Sequence, residues 1–226
     1  MERNDGVKFL TINGKTDAST GKKSDMATQV MIAQLPLLFH ENPNKVLVVG
    51  LGSGITAGSV LTHDIRMMDC AELSPSVIKA ARFFNKANHG ALDDKRLRIV
   101  PRDARNMLLT TEERYDVIIS QPSNPWISGE SSIFSLECYN LVSQQLESGG
   151  LFLQWLPAYL MSEKDLKIIV HTLRSVLPNL TVWTSGSLGD LIFIAKKSRP
   201  LRIDYQQVLQ KLEKKSVYED IQRLGI

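Results

Sequence analysis

Cysteine is scarce in this chain, with two residues, Cys70 and Cys138, among 226. They lie far apart inside apolar segments, without the Cys or His neighbours of a zinc site. They read as buried thiols of a reducing compartment rather than as a disulfide. Charge of one sign is also lacking. Lys+Arg 27 against Asp+Glu 24 leaves +3, too small an excess to argue for a nucleic-acid partner, whose binding rests on many clustered cations. No run approaches the roughly 18 apolar residues of a membrane helix, and Met1-Glu2-Arg3-Asn4-Asp5-Gly6 has no apolar signal-peptide core. The expectation is a soluble, cytoplasmic chain without membrane contact, whether by itself or as the soluble part of a longer membrane-anchored protein. The histidines His40, His63, His89 and His171 have no ligand spacing. They read as surface or helix-end residues, and no metal is expected.

What is present is ordinary in amount and informative in order. Hydrophobic residues make up 43% and charged residues 23%, as in a globular chain that needs neither disulfide nor metal to fold. Val7–Ile12 followed by Asn13-Gly14 reads as a strand and tight turn, and Thr16–Lys23 as a second strand or a loop. Asp25–Leu38 reads as a helix, with Met31, Leu35 and Leu38 at helical spacing. The continuous apolar run Val46–Val49 is the pattern of a strand covered on both faces. Further strands are expected at Ile65–Cys70, Leu97–Val100, Val117–Ser120, Leu151–Trp155, Leu180–Trp183 and Leu191–Ala195. Helices are expected at Gly54–Leu61, Pro75–Asn85, Phe134–Leu146 and Asp165–Val176, the last with a capping box from Ser162 to Asp165. This alternation predicts an α/β doubly wound sheet closed by an antiparallel hairpin across Gly186-Ser187-Leu188-Gly189. The expected organisation is an N-terminal β-hairpin region (1–23), a nucleoside-binding domain (24–200) and a C-terminal helix (201–226). In that helix Tyr205, Val208, Leu209 and Leu212 form an apolar face for docking.

Val46 to Gly54 runs from a strand through Gly50-x-Gly52-Ser53-Gly54 into a helix. A dinucleotide fingerprint requires glycine or alanine three residues after the second glycine, where this chain has Ile55. Gly-x-Gly-x-Gly instead suits an adenosyl-methionine type of ligand, which brings no pyrophosphate to the helix. Glu72 ends the next strand about 20 residues after Gly52, the separation of a carboxylate that binds ribose hydroxyls. Asp103, after the third strand, is placed to accept from an adenine amino group. Leu73 and Ala104, next to those two acids, complete the expected nucleoside set.

The residues Leu35-Pro36-Leu37, Asn42-Pro43-Asn44-Lys45, Gly50–Gly54, Glu72-Leu73-Ser74-Pro75, Tyr115–Ile119, Pro125 and Leu146 through Gly149-Gly150 to Gln154 resemble the spermidine synthase family, the polyamine aminopropyltransferases. The resemblance implies a small β domain beside a Rossmann-like, methyltransferase-type sheet. It also implies decarboxylated S-adenosylmethionine or methylthioadenosine as ligand, Glu72 on ribose, Asp103 on adenine, and a homodimer or tetramer. Where the family has the aspartate that holds the aminopropyl ammonium, this chain has Ser53. The family's Asp-Ser-Ser-Asp-Pro becomes Gln121-Pro122-Ser123-Asn124-Pro125, so Gln121 stands at the general base and Asn124 at its companion acid. A tyrosine and a glutamate lining the family's amine site fall on Thr28 and Val30. The pattern implies that the nucleoside pocket is kept and that transfer to the usual diamine is lost or altered.

Ser123-Asn124-Pro125-Trp126 resembles in part the Asn-Pro-Pro-aromatic motif of amino-methyltransferases. The rival readings are therefore an S-adenosylmethionine-dependent methyltransferase and a non-catalytic nucleoside-binding module. Glu130 and Tyr159 are the remaining candidate proton acceptors. Lys22-Lys23, Lys196-Lys197 and Lys211 with Lys214-Lys215 are expected on solvated faces.

Overall fold

The computed structural model describes residues 1–12, 14–22, 25–122, 130–159, 161–185 and 189–225, with only the main chain of Glu130. Outside the described residues lie Asn13 of the expected turn, Lys23, the motif Ser123–Trp126 with Asn124, and Gly186-Ser187-Leu188 of the closing hairpin.

β1 (Phe9–Ile12) and β2 (Lys15–Ser19) form a separate antiparallel pair, so Lys15–Ser19 is strand and not loop. α1 (Asp25–Phe39) follows, and then β3 (Lys45–Val49), α2 (Ile55–Leu61), β4 (Met67–Ala71), α3 (Pro75–Ala81), β5 (Leu97–Val100), α4 (Ala104–Thr110) and β6 (Tyr115–Ser120). The second half adds α5 (Leu136–Gln145), β7 (Leu146–Pro157), α6 (Glu163–Val176), β8 (Leu180–Trp183) and β9 (Asp190–Lys196). The seven strands run in the order β5-β4-β3-β6-β7-β9-β8, with β8 and β9 antiparallel at one end. Sequence order reverses on either side of β3, the topological switch at which open α/β sheets bind ligands.

Alternation along the strands divides the core between two faces. Val46, Val48, Val117, Ile119, Leu153, Ile192 and Ile194 face α1 and α2. Leu47, Ile118, Phe152 and Phe193 pack with residues of α4, α5 and α6. α1 is covered almost all round, with Val30, Ile32, Ala33 and Leu37 at 0–1% exposure. The Val, Ile and Leu side chains among them each contribute about 1.5–3 kcal/mol when fully buried. Ser162 caps α6 as expected, accepting from the Asp165 N–H at 3.2 Å and donating to its carboxylate at 2.6 Å.

Three expectations change. The C-terminal segment forms two helices, α7 (Tyr205–Leu212) and α8 (Lys215–Gln222), broken at Glu213-Lys214. Lys196 is buried, and Lys211 turns inward to donate to the carbonyls of Leu37 and His40. Together with Gln207 Nε2 on Leu38 and His40, Lys211 satisfies the open carbonyls at the end of α1. His63 is not on the surface: it is 4% exposed and bonded through Nε2 to Gln34 at 2.8 Å. Both cysteines are buried free thiols, and burial pushes Cys138 up to about 11.

Candidate functional site

β3, β4, β5 and β6 are parallel neighbours, so the residues that follow them share one edge of the sheet. Gly50 comes after β3, Glu72 after β4, Asp103 after β5 and Gln121 after β6. Gly50, Gly52 and Gly54 have φ of 89°, 54° and 79°. At Gly52 a Cβ would meet nothing within 4 Å, so the loop there opens onto free space. At Gly50 it would lie 3.2 Å from the Gln121 carbonyl, which binds the glycine loop closely to the end of β6.

Glu72 is fixed by main-chain donors. One carboxylate oxygen accepts from the Leu51 N–H at 3.0 Å and the other from the Ser74 N–H at 2.8 Å. Each oxygen keeps a second lone pair for another donor. Ser74 itself caps α3, with Pro75 in the first turn, so helix start and carboxylate position are set by the same four residues. Leu73 beside it is 68% exposed, an apolar side chain left uncovered at the loop. Asp103 caps α4 by accepting from the Asn106 N–H at 3.0 Å through Oδ1. Ala104 is the buried first residue of that helix.

Ser53 and Gln121 are brought together, but inside a neutral network. Ser53 is fully buried and donates to Gln29 Oε1 of α1. Gln121 donates through Nε2 to the Gly50 carbonyl and accepts at Oε1 from Thr56 of α2, both at 2.7 Å. Both ends of the Gln121 amide are therefore engaged. Tyr159 is half-exposed, and its phenol is pushed above the usual range by burial, then by Asp190, Asp25 and Asp17. It stays protonated at neutral pH, which removes it as a ready proton acceptor.

Sequence reading missed Asp190, at the start of β9 on the α1 face. Its Oδ2 accepts from Thr28 Oγ1 at 2.7 Å and its Oδ1 from Trp155 Nε1 at 3.2 Å. The available signal was an acid opening an otherwise apolar strand, Gly189-Asp190-Leu191. Among the described residues no group of three or more His, Cys, Asp or Glu is placed to hold a metal ion, and no helix is long and apolar enough to cross a membrane.

The spermine/spermidine synthase domain matches residues 25–186. The chain belongs to the spermine/spermidine synthase family. A polyamine aminopropyltransferase of Bacillus mycoides (strain KBAB4) is 29% identical over 196 residues, covering 83% of this chain and 70% of the relative. Among solved structures, a spermidine synthase in complex with the transition-state analogue AdoDATO superposes with a TM-score of 0.75 at 23% identity, over 93% of this chain and 81% of that one. Human methyltransferase-like protein 13 in complex with SAH gives 0.63 at 20% identity, over 87% and 89%. At those identities the two structures speak for the fold, a Rossmann-like sheet of the kind expected. The synthase domain begins at the first residue of α1 and ends after β8, so the hairpin β1–β2, the strand β9 and the helices α7 and α8 lie outside it.

Proposed function

We propose that this spermine/spermidine synthase family member binds an adenosyl sulfonium nucleoside at the ends of β3, β4 and β5, and transfers the group on sulfur to an acceptor other than the usual diamine. The observation that carries the reading is the Glu72 carboxylate, pinned beside the glycine loop by the N–H groups of Leu51 and Ser74 with a lone pair free on each oxygen. In this reading Glu72 takes the ribose hydroxyls and Gly50, Gly52 and Gly54 let the main chain approach the ligand. Leu73 covers an apolar face of the nucleoside, while Asp103 and Ala104 meet the adenine. The ligand is decarboxylated S-adenosylmethionine, as for the aminopropyltransferases this chain resembles.

In the transfer, the acceptor's lone pair forms a bond to the carbon next to sulfur. The C–S electrons return to sulfur, giving a neutral thioether, and an amine acceptor loses one proton. A diamine with a pKa near 10.4 arrives protonated, so this step needs a base, and its second ammonium needs a counter-charge. Ser53, Gln121, Thr28 and Val30 supply neither charge, and Gln121 is already bonded at both ends.

Calorimetric titration with decarboxylated S-adenosylmethionine, S-adenosylmethionine and methylthioadenosine tests the reading. The decarboxylated form should bind more tightly than the carboxylated one, and Glu72→Ala should weaken both by about tenfold or more, since hydrogen bonds to a charged group are worth about 1.5–3 kcal/mol. Preference for the carboxylated form would support a methyltransferase, and an unchanged affinity in Glu72→Ala would remove the ribose assignment.

A further inference from the structure

The α1 face of the sheet edge carries a row of polar side chains. From Gln121 it passes to Thr56, to the Gln29 carbonyl, and through the Gln29 side chain to Ser53. One residue back along α1, Thr28 donates to Asp190. Every side chain in this row is neutral except Asp190. Its two hydrogen-bond donors, Thr28 and Trp155, are neutral as well, and among the described residues no Lys, Arg or His pairs with it. The fully buried carboxylates elsewhere are built differently. Asp69 holds Arg98 at 2.7 and 2.8 Å, and Asp220 holds Arg223 at 2.6 Å. Asp190 is half-buried and oriented through both oxygens by neutral donors. Tyr159 packs against the preceding residue, its Cβ 3.1 Å from where a Gly189 side chain would begin.

Resting on the proposed function, we infer that Asp190 is the specificity-determining carboxylate of the acceptor side, receiving one ammonium group of an amine that carries a single cationic end. The resembling family places its amine-site side chains at the positions of Thr28 and Val30. In this chain Thr28 has become the residue that orients a carboxylate supplied by β9, and Val30 is fully buried. One oriented carboxylate matches one ammonium. A second ammonium reaching along the row towards Gln121, as from a diamine, would meet satisfied amides and hydroxyls there.

The test is amine binding by calorimetry to protein saturated with methylthioadenosine, using n-butylamine and 1,4-diaminobutane as probes. The two should bind within about threefold of each other, and Asp190→Asn should weaken both by about tenfold or more, the cost of losing a charge-assisted hydrogen bond. Methylthioadenosine affinity should be unchanged. Thr28→Val, which removes only the orienting hydroxyl, should weaken the amines several-fold and provides an arm independent of Asp190→Asn folding. Unchanged amine affinity in both variants, a diamine preference above about tenfold, or no amine binding to the saturated protein would overturn the inference while leaving nucleoside binding standing. Failure of the wild-type protein to bind methylthioadenosine would overturn the proposed function and this inference together.

Discussion

Gln121 shows how much a single side chain's surroundings constrain its chemistry. An aspartate at this position would be one methylene shorter and, when ionised, could not donate to the Gly50 carbonyl that Gln121 Nε2 now reaches at 2.7 Å. It would turn a negative charge towards a carbonyl oxygen and leave Thr56 to find another acceptor. With putrescine and decarboxylated S-adenosylmethionine, mass spectrometry should detect little or no spermidine from the wild-type protein. Gln121→Asp should recover less than about tenfold, well short of the 10²–10⁴ of general-base catalysis. It should also lower stability to urea by about 1–3 kcal/mol, the cost of a buried polar group left unsatisfied. Turnover near about 1 s⁻¹ in either protein would show that another group serves as base. Gly50, Gly52, Gly54 and Glu72 could be named from sequence, because strand, glycine loop and following acid sit at fixed local spacings, whereas Gln121 and Ser53 stand out only through the family resemblance. The partners of Gln121 could not, since Thr56 and Gly50 are 65 and 71 residues away in the chain. Asp190 escaped for the same reason, its Thr28 partner being 162 residues distant.

Among the elements, α2 is packed so closely that its composition is fixed by a neighbour. A Cβ on Gly58 would lie 2.2 Å from the Asn88 carbonyl oxygen and 2.6 Å from its carbon, so the main chain there would have to move. Asn88 is fully buried and donates to the carbonyls of Ser53 and Ala81, both at 3.0 Å. Gly58→Ala therefore pushes on the residue that supports the glycine loop from behind. It should cost about 1–3 kcal/mol in urea denaturation, as overpacking does, and weaken methylthioadenosine binding. Gly149→Ala, at an exposed position near the start of β7 with nothing within 4 Å of the new Cβ, should stay within about 0.5 kcal/mol of wild type. Equal effects of the two substitutions would show that Asn88 yields freely. The same neighbourhood explains where element reading fell short. The expected helix Pro75–Asn85 stops at Ala81 and tightens into a 3₁₀ turn over Arg82–Phe84, because the chain must then swing Asn88 and the left-handed His89 (φ 55°) under α2. α4 is absent from the sequence-based expectation: its start depends on the Asp103 cap, and sequence spacing assigns that acid only a ligand role.

At the scale of the molecule, the helices α7 and α8 fall outside the matched synthase domain yet are tied to its interior by buried polar groups. Gln34 of α1 donates to Asp220 of α8 at 2.7 Å and to Thr62 at 3.3 Å, so its Oε1 is the acceptor that faces His63. His63 must therefore donate from Nε2. Burial, with Lys211 and Lys214 adding to it, pushes the His63 pKa from 6.5 down to about 3. Below pH 6.5 the unfolded chain takes up this proton and the folded chain does not. Stability from this group is thus complete above about pH 6.5 and falls as pH drops towards 3. Asp220, held below the usual carboxylate range by His89, Arg223 and Gln34 against the opposing effect of burial, adds a further loss only in stronger acid. From pH 7 to pH 5 the His63 contribution should amount to about 2 kcal/mol, at about 1.4 kcal/mol per pH unit once the unfolded histidine is charged. His63→Gln keeps a donor near the Nε2 position and removes the titration. Its urea stability should be lower at pH 7 but should decline by about 2 kcal/mol less between pH 7 and pH 5 than that of the wild type. Hydrogen exchange at pH 5 should show the difference in α8 first, since Asp220 is where that helix joins the network. Parallel declines in the two proteins would mean that the ring is protonated in the folded state, and the link from α8 through Gln34 to His63 would then have to be drawn with its charges reassigned.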